Sequence, residues 1–137
     1  MFGGCSNLIS LNLSNFNTQN VTTMSSMFSG CSNLKSIDLS NFNTQNLKYM
    51  NNMFYYCPEL TSINLFKFNS QNILHMNYTF AYSSKLTFIN ISSFISNSII
   101  LYNTFKNISS TGTIIINQIL YDKINNLLSK WTIIPID

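Results

Sequence analysis

Charge is the scarcest property of this chain: only 8% of its 137 residues are Asp, Glu, Lys or Arg. The seven basic residues are scattered, without a run of Lys or Arg, so a net charge of +3 is too dilute for a nucleic-acid footprint. No apolar run approaches the roughly 18 residues that cross a bilayer, and no basic segment leads into an apolar one as in an export signal. His75 is the single histidine, and the four acids, Asp38, Glu59, Asp122 and Asp137, are widely spread. Neither a carboxylate dyad nor a Ser-His-Asp order can be assembled from them, so no enzymatic activity and no cofactor are expected.

Apolar bulk and neutral polar residues take the place of charge. Hydrophobic residues make up 45% of the chain. That is the reverse of the charged, weakly hydrophobic composition of disordered segments, so the chain should fold. Its length suits one domain with a substantial core.

The dominant feature is self-similarity. "MFGGCSNLISLNLSNFNTQNVTTMSS" is followed by "MFSGCSNLKSIDLSNFNTQNLKYMNN" and then by "MFYYCPELTSINLFKFNSQNILHMNY". Phe16, Phe42, Phe68 and Phe94 stand 26 residues apart, as do Cys5, Cys31 and Cys57, with Ser83 next in line. Met24, Met50 and Met76 keep the same step, and so do Gln19, Gln45 and Gln71. The fourth copy is one residue shorter, and a fifth begins at Thr104 and decays. The pattern divides the chain into copies 1–26, 27–52, 53–78 and 79–103, with a partial copy over 104–117 and a C-terminal cap over 118–137. A fixed period of this size predicts a repeat solenoid.

Each copy shows how its turn is built. Leu34, Ile37 and Leu39 fit L-x-x-L-x-L, and their alternation with polar residues predicts a short strand in every copy, parallel to the next. Phe28 and Cys31, three apart, predict one tight turn. The Asn- and Ser-rich "SNFNTQN" predicts the corner, because these side chains hydrogen-bond local backbone. The Phe, Cys and Met columns are the expected core, each residue facing its counterpart in the next copy. The cysteines are expected as free buried thiols, since a straight column cannot offer a metal four tetrahedral ligands. His75 aligns with Thr23 and Tyr49, which predicts an exposed, variable position.

The tail departs from the repeat. "TIIIN" (Thr113 to Asn117) is in phase with the strands. "QILYDKINNLLSKW" then places Ile119, Leu120, Ile124, Leu127, Leu128 and Trp131 on one helical face, with Asn117 as N-cap. A short strand ended by Pro135 follows. Such a helix is the lid that an open solenoid end needs. The opposite end starts in mid-pattern at Met1-Phe2, which reads as a fragment of a longer array. Its bare rung invites edge-to-edge self-association.

The spacing MF-x-x-C-x-x-L-x-x-I-x-L-S-N-F-N-T-Q-N resembles the BspA-type leucine-rich repeats of AT-rich bacterial and mycoplasmal surface lipoproteins and of protist surface proteins. The resemblance implies a non-enzymatic scaffold displayed at a cell surface or extracellularly, used for adhesion and for binding protein or glycan partners. An alternative is a structural or host-attachment module of a phage or other fibrous assembly, and an intracellular or virion location goes with it. The freed letters are where a ligand would be read. Outward strand positions are mostly small and polar, except for Phe66 and Phe88, which with Asp38, Asn64 and Asn90 form the candidate binding surface. The Asn and Gln columns have two readings: they cap turns, or they present a polar face to a ligand.

Overall fold

Isoleucine-containing runs of the third and later copies and of the cap become strands. The computed structural model describes residues 1–137. Four of these runs form one parallel sheet, in the order β1 (Ser62–Asn64), β2 (Phe88–Ile91), β3 (Thr113–Asn117) and β4 (Thr132–Ile136). A single helix, α1 (Gln118–Ile124), joins β3 to β4. The register sets like beside like: Ile63 pairs with Ile89, Ile89 with Ile114, and Ile114 with Ile133. Partners in β1 and β2, such as Ser62 and Phe88, lie 26 residues apart. On another face Thr23 pairs with Tyr49, Tyr49 with His75, and His75 with Ile100, each through one parallel bridge. The result is a small repeat-like α/β fold.

The expected strand is absent from the first two copies. One bond, from the Lys35 N–H to the Ile9 carbonyl at 3.2 Å, joins these segments, and a single bond does not make a ladder. Side chains and the tight turns hold these copies together instead.

The core is built on a stack of rings. Phe2, Phe28, Phe54, Phe80 and Phe105 follow one another with centroids 5.6, 5.5, 6.1 and 5.9 Å apart. The column of Phe16, Phe42, Phe68 and Phe94 is buried from Phe42 onward, but its rings do not stack on each other. Met24, Met50 and Met76 are buried as expected, and so are Cys31 and Cys57. Cys5 is exposed and Phe16 only half-buried, which corrects their placement in the core. Within this chain no other copy covers that side of the first one.

The cap is shorter than its periodicity predicts. Asn117 is the N-cap, accepting the Ile119 N–H at 3.0 Å. The helix ends at Ile124, and the turn that follows swings Leu127 away from the buried face. Leu120, Ile124, Leu128 and Trp131 are buried, whereas Ile119 and Leu127 are exposed. Lys123 donates to the carbonyls of Asn97 and Ile99, and the Trp131 Nε1 donates to the Ser109 carbonyl at 3.0 Å, tying the cap to the fourth and fifth copies. Gly112 permits this closure, since a Cβ there would sit 2.5 Å from the Thr87 carbonyl oxygen and 2.8 Å from the indole. Pro135 lies inside β4 and does not end it. An edge strand tolerates a missing N–H. No helix is long and apolar enough to cross a membrane.

Candidate functional site

The polar columns are explained first by what they do for the backbone. In four copies the residue after the inward strand position accepts the N–H two residues on. Asn12 takes that of Ser14 at 3.0 Å, Asp38 that of Ser40 at 2.9 Å, Asn64 that of Phe66 at 3.3 Å, and Asn90 that of Ser92 at 3.1 Å. These are Asx turns, which bend the chain out of the strand. The Ser40 N–H and hydroxyl together hold the Asp38 carboxyl below its ordinary range. Asp38, Asn64 and Asn90 therefore commit one side-chain oxygen each to the fold and keep their remaining polar atoms at the surface.

A second amide column works the same way. Asn17, Asn43 and Asn69 accept the N–H groups of Gln19, Gln45 and Gln71 at 3.2, 3.1 and 3.1 Å. Asn46 and Asn72 donate backward to the carbonyls of Gln19 and Gln45, at 2.8 and 2.6 Å. These amides cap corners and tie neighbouring copies together, while the side chains of the three glutamines stay exposed.

Sequence reasoning missed a buried hydroxyl column between these amides. Thr18 Oγ1 accepts the Asn43 N–H at 2.8 Å and donates to the Asn43 carbonyl at 3.0 Å. Thr44 accepts the Asn69 N–H at 2.8 Å, and Ser70 accepts the Ile95 N–H at 3.1 Å and donates to the Ser93 carbonyl at 2.8 Å. The signal was the retained Thr, Thr, Ser at one phase of the repeat, hidden among exposed polar neighbours.

The cysteine column is also a hydrogen-bonding column. Cys31 Sγ donates to the Phe2 carbonyl at 3.2 Å and Cys57 Sγ to the Phe28 carbonyl at 3.1 Å. In the fourth copy the Ser83 hydroxyl makes the same bond to Phe54 at 2.8 Å, which explains why Ser replaces Cys there. Burial pushes the Cys57 thiol up to about 12, with the neighbouring Cys31 adding to the effect, and burial raises Cys31 as well. In the native protein a thiol-disulfide reagent is accordingly expected to titrate one of the three thiols, Cys5, rapidly. The other two should react only after denaturation, and rapid reaction of all three would contradict this packing. No group of three or more His, Cys, Asp or Glu side chains lies close enough to hold a metal.

The candidate binding residues are only partly brought together. Phe66 is 49% exposed and lines a shallow depression of about 250 Å³ with Ile37, Asp38 and Asn64. The Lys67 ammonium lies 5.9 Å from the Phe66 ring centroid. Asn90 stands beside Asn64 in the sheet. Phe88 is half-buried in β2 between Ser62 and Thr113, and its ring does not meet that of Phe66. His75, expected as an exposed, variable position, is half-buried, and its ring stacks on Tyr49 at 5.5 Å.

A larger aromatic surface lies at the tight-turn corner of the third to fifth copies. Tyr55 meets Tyr78 and Tyr82 edge to face at 6.5 and 5.3 Å, and Tyr78 meets Tyr102 at 5.5 Å. Asn103 Nδ2 donates to the Tyr78 hydroxyl at 2.9 Å. The Lys106 ammonium lies 5.7 Å from the Tyr82 ring centroid, and its interaction with the Tyr82 hydroxyl raises its pKa. The aromatic letters were visible in "MFYYC" and "MNYTFAY"; the convergence of rings 23 to 27 residues apart was not.

No curated protein and no solved structure matches this chain. A family model described as "Mycoplasma protein of unknown function, DUF285" matches residues 1–95, from the first copy to the end of the Phe16–Phe94 column. The match spans well over half of the chain, and the protein belongs to that family.

Proposed function

We propose that this chain is a solenoid of BspA-type leucine-rich repeats with a period of about 26 residues, acting as a non-enzymatic binding module of a cell-surface protein. The observation that carries the reading is a division of labour between retained and freed letters. Retained residues are spent on the fold: the rings of Phe28, Phe54 and Phe80 stack, the Cys column bonds to the preceding copy, and the amide and hydroxyl columns hold the corners. Freed positions are exposed, as Phe66 is, or half-buried, as Tyr55 and Phe88 are, and in the later copies large aromatics occupy places where the earlier ones carry small residues. Phe66 stands where the first two copies have Ser14 and Ser40, and Tyr55 where they have Gly3 and Ser29. A scaffold that holds its frame constant while varying its surface is suited to recognition of protein or glycan partners, with adhesion as the use.

The reading is tested by presenting the immobilised chain with detergent-extracted animal-cell matrix, intact or treated with protease or glycosidase. Saturable capture of labelled intact matrix, lost after at least one treatment, is expected. Capture no greater than that of a same-sized, non-repeat control protein overturns the reading.

A further inference from the structure

The tyrosine corner has properties that the fold does not require. Tyr78 and Tyr82 sit at φ 54° and φ 62°, in the left-handed region. Bulky side chains avoid that region, because Cβ there crowds the following carbonyl oxygen. Tyr78 takes the place of Ser26 in the first copy and Asn52 in the second, and Tyr82 that of Gly4, Gly30 and Tyr56 in the first three, all also at positive φ. Glycine or asparagine would serve the turn better, so the turn does not account for tyrosine there. The rings add to one another: Tyr55, Tyr78 and Tyr102 are linked edge to face at 6.5 and 5.5 Å along the direction in which the copies succeed one another. Tyr102, at the outer end, is 63% exposed.

The polar groups at this corner have spare capacity. The Tyr78 hydroxyl accepts from Asn103, which leaves its own proton to donate outward. Lys106 is fully exposed, and the groups that act on its charge are Tyr82, Tyr78 and Tyr102, none of them a carboxylate. The chain's one ion pair, Lys85 with Glu59, is elsewhere. A cavity of about 240 Å³ opens between Asn103, Lys106 and Leu127, lined by two of the corner's polar residues and by none of its tyrosines. The corner thus offers three rings in edge-to-face sequence at steps of 6.5 and 5.5 Å, hydroxyl and amide donors beside them, and one uncompensated positive charge.

We infer that this corner, formed by Tyr55, Tyr78, Tyr82, Tyr102, Asn103 and Lys106, binds a linear anionic polysaccharide. The step from ring to ring, 6.5 and then 5.5 Å, is comparable with the length of one sugar ring, so neighbouring residues of a polymer can meet neighbouring rings. Their C–H faces pack on the phenol rings, where Tyr offers large contact area at low entropy cost. Their hydroxyls bond to Asn103 and the tyrosine hydroxyls. A carboxylate or sulfate group of the polymer meets Lys106 in a charge-assisted hydrogen bond. The inference rests on the binding-module reading and names the partner class for one surface of it.

Calorimetric titration of the full chain tests it with three octasaccharides: a heparin fragment, an oligogalacturonate and neutral dextran. At least one anionic probe should bind saturably, with dextran weaker by about tenfold or more. Lys106→Gln and Tyr102→Ser, both at exposed positions, should each weaken that binding by about tenfold, while Tyr102→Phe keeps most of it. Tyr56→Ser, outside the ring contacts, should leave it unchanged. Which anionic probe binds separates sulfated from carboxylated polymers. Absence of binding by both overturns the inference, as does dextran binding of equal strength. Affinity untouched by Tyr102→Ser also overturns it, since the attraction would then be diffuse charge alone. If matrix capture survives glycosidase while the octasaccharides fail, the inference falls and the binding-module reading stands. If matrix capture also fails, both fall.

Discussion

Replacing Phe54 with alanine is expected to lower stability by about 3–5 kcal/mol, a large share of what a domain of this size has. Phe54 is fully buried, with the Phe28 ring 5.5 Å on one side and the Phe80 ring 6.1 Å on the other, tilted by only 9° and 10°. The cost belongs at the high end because the cavity cannot close. The Phe54 N–H bonds to the Thr79 carbonyl and the Phe28 N–H to the Met53 carbonyl, at 2.8 and 2.9 Å, so the backbone spacing between copies is fixed. The flanking rings would have to leave their own sites to fill the gap. Phe2→Ala should cost distinctly less, since Phe2 is half-buried at the end of the stack. Urea denaturation of the three proteins checks the order, and a Phe2 variant as damaged as the Phe54 variant would contradict the stack as the main support.

Thr44→Val should cost about 1–3 kcal/mol although it changes shape hardly at all. Thr44 is 2% exposed, and its Oγ1 is the acceptor for the Asn69 N–H at 2.8 Å. Valine fills the same space but leaves that N–H without a partner at a corner where the side chain excludes water. The expected signature is a lower urea midpoint with an unchanged slope, since the surface exposed on unfolding is the same. Thr44→Ser keeps the oxygen and should recover most of the loss. Equal damage from both substitutions would assign the role of Thr44 to its methyl group and not to its hydroxyl.

These two residues mark where the sequence is transparent and where it is opaque. Phe54 belongs to a column visible as "MF" at the head of the first three copies and as "TF" at the next two, yet the expected phenylalanine column was that of Phe16 and its counterparts. A repeat reveals that a position is retained, but not whether its side chain touches its own counterpart or fills space between others. The Phe2–Phe105 rings stack because tight turns set them face to face; Phe42, Phe68 and Phe94 are buried without stacking. Thr44 sits among turn residues in the sequence, and hydropathy does not separate its buried hydroxyl, which bridges two copies, from the exposed amides of Asn43 and Gln45 on either side. The cysteines looked like small hydrophobes, and only the position of the Phe2 and Phe28 carbonyls shows them as donors. Helical periodicity ran to Trp131, but the chain turns after Ile124 so that Trp131 can reach Ser109.

The candidate surface divides in the same way. Asp38 and Asn64 were proposed from outward strand positions, and the structure sets both beside Phe66 while spending part of each on an Asx turn. Phe88 points to the same face in the alignment, but its place between β1 and β3 half-buries it.

The residue pattern was enough to set the register: which residue of one copy meets which of the next, which positions are apolar, and where the repeat gives way to a helix capped by Asn117. It could do so because a periodic chain repeats one local solution, and local preferences then reinforce each other. Tertiary structure alone decided which rings stack, which thiols are covered and which tyrosines converge. Those outcomes depend on how far one copy is rotated and shifted against the next, and that is settled by packing across copies, not by any segment acting alone.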